Sequence, residues 1–352
     1  MPYVYVGTYT SSRSEGIYVY RFDATTGDLE PIQTLVGVED PSYLAFAPGG
    51  QFLYAVNERE RDPEGSVSAF SVDSATGRLE PLNRVPSRGA IPAHLSVDPT
   101  GRWVLVANYG GGTISSFPIQ SDGSLGEAAD VVQHTGNGPN PTRQRGPHPH
   151  MIVTDPNNRF VLVPDLGLDR VVAYRLDTSS GRLVAQPQGG GVLDPGAGPR
   201  HLAFGPGGRH VYVLNEIAST LSLFDYHAET GHMHPVETLS TLPADYTPAS
   251  TTAAVVVHPS GRFIYASNRG HDSIAAFGLE PLSGRLTPLG QTPTGGRAPR
   301  DFNIDPAGAF LLAANKDSDS LATFRINVED GAVQPTGFIG EVPSPARVLI
   351  TS

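Results

Sequence analysis

The chain of 352 residues has no cysteine, one tryptophan and three methionines. Without thiols there is no disulfide framework and no thiolate nucleophile or metal ligand. No uninterrupted apolar run is long enough to cross a bilayer. The opening MPYVYVGTYT has neither a basic n-region nor an apolar h-region, so no signal peptide and a cytoplasmic location are expected. Basic residues are scarce too: 24 Lys and Arg stand against 35 Asp and Glu, a formal net charge of −11. Nucleic-acid-binding domains carry a basic field, so that class of partner is not expected. YGGGT (109–113) lacks the Lys-Ser/Thr of a phosphate loop. Gly-x-Ser-x-Gly and His-Glu-x-x-His are both missing, which removes the usual support for serine-hydrolase and zincin chemistry.

What the chain has in plenty is glycine (40) and proline (32). Both break helix interiors, which argues against a helical protein. The apolar residues fall in short Val, Ile, Leu, Tyr and Phe runs bounded by turn residues, the pattern of many short strands.

These runs repeat. PSYLAFAPGGQFLYAVNE (41–58), PAHLSVDPTGRWVLVANY (92–109) and PHMIVTDPNNRFVLVPDL (149–166) share one plan, as do PRHLAFGPGGRHVYVLNE (199–216), TAAVVVHPSGRFIYASNR (252–269) and PRDFNIDPAGAFLLAANK (299–316). Each reads as a strand, a proline turn, a second strand and then a polar residue. That residue is Asn57, Asn108, Asp165, Asn215, Asn268 or Asn315, at spacings of 51, 57, 50, 53 and 47. A third strand, a turn such as ATTGDLEP and a fourth strand follow. Four strands in roughly fifty residues is a propeller blade. YVYVGTY near the N-terminus matches the second strand of the unit, and PARVLITS at the C-terminus matches the first. The expectation is therefore an all-β, seven-bladed β-propeller with four antiparallel strands per blade. Its last blade is closed by one C-terminal strand and three N-terminal strands, and residues 1–352 form one domain. Closure removes the open edges of a linear array.

In a propeller the first strand of each blade lines the central channel. Aligned on the turn proline, the residues entering that strand are Ser42, Ala93, His150, Arg200, Ala253, Arg300 and Ala346. Those leaving the second strand are Glu58, Tyr109, Leu166, Glu216, Arg269 and Lys316. One side of the ring thus collects His150, Arg200, Glu216, Arg269, Arg300 and Lys316: four cations, a histidine and a carboxylate. Solvated rim charges are the bland reading of any one of them. Six at equivalent positions point to a small anionic ligand. The interval of 57 holds the insertion GNGPNPTRQRGPHPHM (136–151), whose prolines restrict a loop over the channel. Its Arg143 and Arg145 either add to the anion field or are solvated. His148 and His150 have no third ligand nearby in sequence, so no metal or other cofactor is expected.

VGTYT…GIYVYRFD, NRFVLVPDLGLDRVVAYRLD, GPRHLAFGPGGRHVYVLNE and HPSGRFIYASNRGHDSIAAF resemble the lactonase-type seven-bladed propellers. These are the bacterial 6-phosphogluconolactonase group, related to fungal carboxy-muconate lactonizing enzymes, and the resemblance runs from end to end. It implies a metal-free catalytic set of His, Arg, Glu and Arg, matching His150, Arg200, Glu216 and Arg269, with His148 as a supporting candidate. Arg300, Lys316 and Arg143 are then expected to bind the substrate, a phosphorylated or carboxylated lactone. The expected reaction is hydrolysis of 6-phosphogluconolactone, with Glu216 or His150 as base and Arg200 stabilising the oxyanion. A muconate cycloisomerase and a non-catalytic binding propeller are the alternatives. No membrane partner is expected, and any self-association is expected to be weak.

Overall fold

The computed structural model describes residues 2–10, 13–59 and 62–351. Seven antiparallel sheets follow one another around an axis. Blade 1 combines Pro345–Ile350 with Tyr3–Thr8, Gly16–Phe22 and Leu29–Val36. Blades 2 and 3 span residues 44–86 and 92–133, and blade 4 spans 153–192. Blades 5, 6 and 7 span 199–240, 251–293 and 299–341. The C-terminal strand closes the ring as expected, pairing Val4 with Ile350 and Val6 with Val348. Thr351 clamps the seam: Tyr3 N–H donates to its Oγ1 at 2.8 Å, and its own N–H donates to Tyr3 O at 2.9 Å. Among the described residues, no helix is long and apolar enough to cross a membrane.

Blade 4 departs from the repeat. Its first strand shrinks to Val153–Thr154, and its outer edge is split between Leu183–Ala185 and Gly191–Val192. Pro147 and Pro149 have no N–H to give to a ladder. Only irregular bonds remain ahead of the strand, such as His150 N–H to Pro164 O at 2.9 Å.

The apolar core consists of layers between neighbouring blades. Val4, Val6 and Phe22 of blade 1, for example, pack on Phe310, Leu312 and Leu321 of blade 7. A polar contact recurs at these seams, where a second-strand aromatic bonds the turn between the third and fourth strands of the next blade. Tyr5 Oη donates to Gly77 O at 2.7 Å, Tyr212 Oη to Gly284 O at 2.8 Å and Tyr265 Oη to Gly331 O at 2.9 Å. In blade 3 a leucine stands at the tyrosine position, and Trp103 reaches across instead, Nε1 donating to Thr178 O at 3.0 Å. The turn beneath it needs Gly181. Its φ is +76°, and an added Cβ would lie 2.4 Å from the indole.

Trp103 is the one tryptophan of the chain, so its fluorescence reports this seam directly. Gly181→Ala combines left-handed backbone with an overpacked ring, costs of about 1–2 and 1–3 kcal/mol respectively. Chemical denaturation followed by Trp103 emission should show a loss of roughly 2–5 kcal/mol; a loss below about 0.5 kcal/mol would contradict the packing described.

Candidate active site

Two backbone devices deliver side chains to one mouth of the channel. The first is a break in register where the first strand begins, between Pro92 and His94, Pro199 and His201, Thr252 and Val255, and Pro299 and Asp301. A bulge leaves a residue out of the ladder and re-aims its side chain. In blades 5 and 7 that residue is Arg200 and Arg300. The second device is the buried polar residue at the end of the second strand. Asn57 Nδ2 donates to Glu39 O at 2.7 Å, Asn108 Nδ2 to Ser87 O at 3.0 Å and Asn268 Nδ2 to Thr241 O at 3.1 Å. Each carboxamide ties the strand end to a neighbouring loop, and the next residue emerges at the mouth.

Blade 4 carries Asp165 at this place. Its Oδ1 accepts His148 N–H at 2.7 Å and Gly167 N–H at 3.0 Å, while Oδ2 contacts His134 Nδ1 at 2.6 Å. Tyr174 Oη lies 2.9 Å from the far nitrogen of His134. The carboxylate thus fixes the turn that carries His148 and His150. The following residue, Leu166, is fully buried and does not reach the mouth.

The mouth is a cavity of about 680 Å³ whose wall includes Tyr9, Glu58, Tyr109, Arg143, His150, Glu216, Arg269, Arg300 and Lys316. Its centre of charge is Glu216, only 5% exposed. Arg143 Nη2 meets Oε1 at 2.5 Å, and Arg200 Nε and Arg269 Nη2 both meet Oε2 at 3.0 Å. Burial alone would raise the carboxyl pKa; the charges of Arg269, Arg200 and Arg143 overcome it and hold the group far below the usual range. Glu216 is therefore a permanent anion. Arg200 lies behind it and is not part of the cavity wall. Its Nη1 donates to Ala253 O and contacts His201 Nε2 at 3.0 Å. Burial, with Arg269 and Arg300 nearby, brings its pKa down to about 9, still charged at neutral pH.

His150 is 5% exposed, and its Nδ1 is buried without a hydrogen-bond partner among the described residues. Burial first, then the charge of Arg200, hold its pKa well below the ordinary value, so the imidazole is neutral. Its ring sits 5.3 Å from Tyr109 and 5.4 Å from His201, centroid to centroid. His148 turns away: it stacks on Tyr109 at 4.6 Å, and its Nδ1 lies 2.9 Å from Tyr109 O. The two histidines of PHPH thus separate, one into the cavity and one behind its wall.

Across the mouth, Arg300 lies 5.0 Å from the Tyr9 ring centroid and Lys316 Nζ 5.7 Å. Arg300 reaches Glu58 Oε1 at 3.4 Å, and Lys316 Nζ pairs with exposed Asp317 at 3.0 Å. Counting the whole wall, Arg59, Arg143, Arg269, Arg300 and Lys316 face Glu39, Asp40, Glu58 and Glu216. The site is less cationic than the aligned positions suggested.

The inserted loop does arch to the mouth, but its stiffness has a source beyond its prolines. Fully buried Gln144 donates to Leu166 O at 2.8 Å and Asp169 Oδ1 at 2.7 Å, and accepts Asn140 N–H at 3.0 Å. This core carries Arg143 to Glu216, whereas Arg145 bonds back to Pro141 O on the exposed side. Gln144, Tyr9, His201 and the site role of Glu58 were missed by sequence reasoning. Glu58 stood at an aligned position, and only its place across the closed ring concealed its part.

Fold and site together define a seven-bladed propeller whose channel mouth holds a neutral imidazole among fixed guanidinium groups. The chain belongs to the family described as "Lactonase, 7-bladed beta-propeller", whose model matches residues 3–350. It is 37% identical over 301 residues to the 6-phosphogluconolactonase of Bacillus subtilis, covering 86% of this chain and 84% of that one. It is 30% identical to a 6-phosphogluconolactonase of Formosa agariphila, with 86% of each chain covered. Among solved structures it resembles the periplasmic gluconolactonase of Pseudomonas aeruginosa, with a TM-score of 0.95 and 33% identity over 100% of this chain and 99% of that one.

Removing the Glu216 charge should leave three crowded guanidiniums without their shared anion. Breaking a buried ion pair costs roughly 3–5 kcal/mol, which is the loss expected for Glu216→Gln in urea unfolding at pH 7. The pH dependence follows from the depressed folded pKa. The stabilisation is complete above the unfolded value of about 4.3 and is lost as pH falls through the folded one. Stability curves below pH 5 should therefore fall more steeply in the wild type than in Glu216→Gln, and parallel curves would contradict the assignment.

Proposed function

We propose that this chain hydrolyses a sugar lactone to its acid, with 6-phosphogluconolactone as substrate and 6-phosphogluconate as product. The observation that carries the reading is His150, a neutral imidazole on the wall of a cavity that arginines also line. Similarity to 6-phosphogluconolactonases supports the choice of lactone.

His150 acts as the base. It takes a proton from a water molecule as the oxygen attacks the lactone carbonyl, then returns that proton to the ring alkoxide when the carbon–oxygen bond breaks. Such proton transfer contributes typically about 10²–10⁴-fold. Glu216 is unsuited to this step, because three guanidiniums hold its carboxylate ionised. Its part is to orient Arg143 and Arg269, whose charges face the developing oxyanion; losing such a donor costs roughly 10²–10³-fold. Arg200 supports Glu216 from behind. Lys316 takes the phosphate, because its carboxylate partner Asp317 is exposed and leaves the ammonium available.

One observation favours a second substrate, the unphosphorylated gluconolactone. The carboxylates of the wall nearly balance its cations, which suits a neutral polyhydroxylated ring. Acid release measured at constant pH, corrected for spontaneous hydrolysis, separates the two by kcat/KM with and without the phosphate.

His150→Gln should lower kcat by about 10²–10⁴-fold with both substrates. Because the active form is the unprotonated imidazole and its pKa is depressed, wild-type kcat/KM should stay level from pH 8 down to 6.5 and fall only below that. Half-loss near pH 6.5, or wild-type turnover in His150→Gln, would remove His150 from the role.

A further inference from the structure

Two of the four carboxylates on the cavity wall, Glu216 and Glu58, are buried, and they are bound very differently. Both oxygens of Glu216 are taken by three arginines. Glu58 is also buried, 8% exposed, yet all its close hydrogen bonds fall on one oxygen: Oε2 accepts the Tyr9 hydroxyl at 2.7 Å and the Ser42 hydroxyl. Oε1 has one partner among the described residues, Arg300 at 3.4 Å. A carboxylate oxygen accepts about two hydrogen bonds. Oε1 therefore keeps acceptor capacity in a cavity where the remaining polar groups are mostly donors.

From this we infer a hydroxyl-binding subsite formed by Glu58, Tyr9 and Arg300. Glu58 Oε1 accepts a hydroxyl of the lactone ring, and the Arg300 guanidinium donates to the neighbouring oxygen. Tyr9 and Ser42 hold the carboxylate by its other oxygen, so that Oε1 stays aimed at the cavity. The ligand class is a polyhydroxylated ring, which rests on the sugar-lactone reading above. A substrate with several carboxylates and no hydroxyl would meet Glu58 as a like charge, so the same residue excludes carboxylated muconates. Glu58 thus selects among lactone chemistries that His150 and the arginines alone would not separate.

The test is steady-state hydrolysis of gluconolactone and 6-phosphogluconolactone by the wild type, Glu58→Gln and Tyr9→Phe, with thermal unfolding to confirm that each variant is folded. The hydroxyls are common to both substrates. Glu58→Gln should therefore lower kcat/KM on each by about 10–100-fold, mainly through KM, the size of a lost hydrogen bond to a charged group. Tyr9→Phe, which keeps the charge but frees the carboxylate, should lower both in the same ratio, and it carries the test if Glu58→Gln does not fold. A fall of less than tenfold in Glu58→Gln, or a gain on the phosphorylated substrate from removing a like charge, overturns the subsite. A wild type that hydrolyses neither lactone overturns the sugar-lactone reading itself and the subsite with it.

Discussion

One buried carboxylate organises the mouth of this propeller. Glu216 gathers Arg143 from an inserted loop, Arg200 from the first strand of blade 5 and Arg269 from the second strand of blade 6. Three guanidiniums at such close range would repel one another, and burial would make each costlier still. The shared anion makes the arrangement stable, and in doing so it locks a loop and two blades into one geometry. The cost to Glu216 is its own proton chemistry. A carboxylate held this firmly in its charged form cannot exchange protons near neutral pH, so the acid–base work passes to His150. Burial first, and then the charge of Arg200, keep that imidazole neutral.

Asymmetry of this kind arises from a symmetric fold by local departures. Most blades offer the same two outlets, a bulge at the first strand, as in blades 3, 5, 6 and 7, and a buried polar end at the second. What leaves each outlet differs from blade to blade: Ala93 and Tyr109 in blade 3, Arg200 and Glu216 in blade 5, Arg300 and Lys316 in blade 7. Blade 4 gives up regular pairing. Its prolines break the ladder, Asp165 replaces the usual asparagine, and the strand entry becomes a turn held by His134 and Tyr174. That irregular turn places His150 in the cavity. Rigid seams, from Tyr5, Tyr212 and Tyr265 elsewhere and from Trp103 at the edge of blade 4 itself, let one blade be irregular without opening the ring.

Much of this could be read from sequence because repetition turns alignment into geometry. The turn prolines and the terminal asparagines fixed the register, so the number of blades, the closure of the ring, and the places of His150, Arg300, Lys316, Glu216 and Arg269 all followed. Arg200 was found at the right outlet but assigned the wrong depth, because alignment locates a residue on a strand and says nothing of which side chain stands in front. Gln144 had no repeat equivalent, since insertions are aligned with nothing. Tyr9 sits two residues beyond Gly7 in the blade that the termini share, and Glu58 lies across the channel from the residues that chain order groups together. Contacts across a closed ring depend on its curvature, which no linear spacing expresses.

The account stands on His150 being neutral where an exposed histidine would be half-charged. Nitrogen-15 spectra of the imidazoles across pH 8 to 5.5, with the His150 signals assigned by their loss in His150→Gln, measure this directly. His150 is predicted to keep the shifts of a neutral ring at pH 6.5. A His150 already half-protonated at pH 6.5 would contradict it.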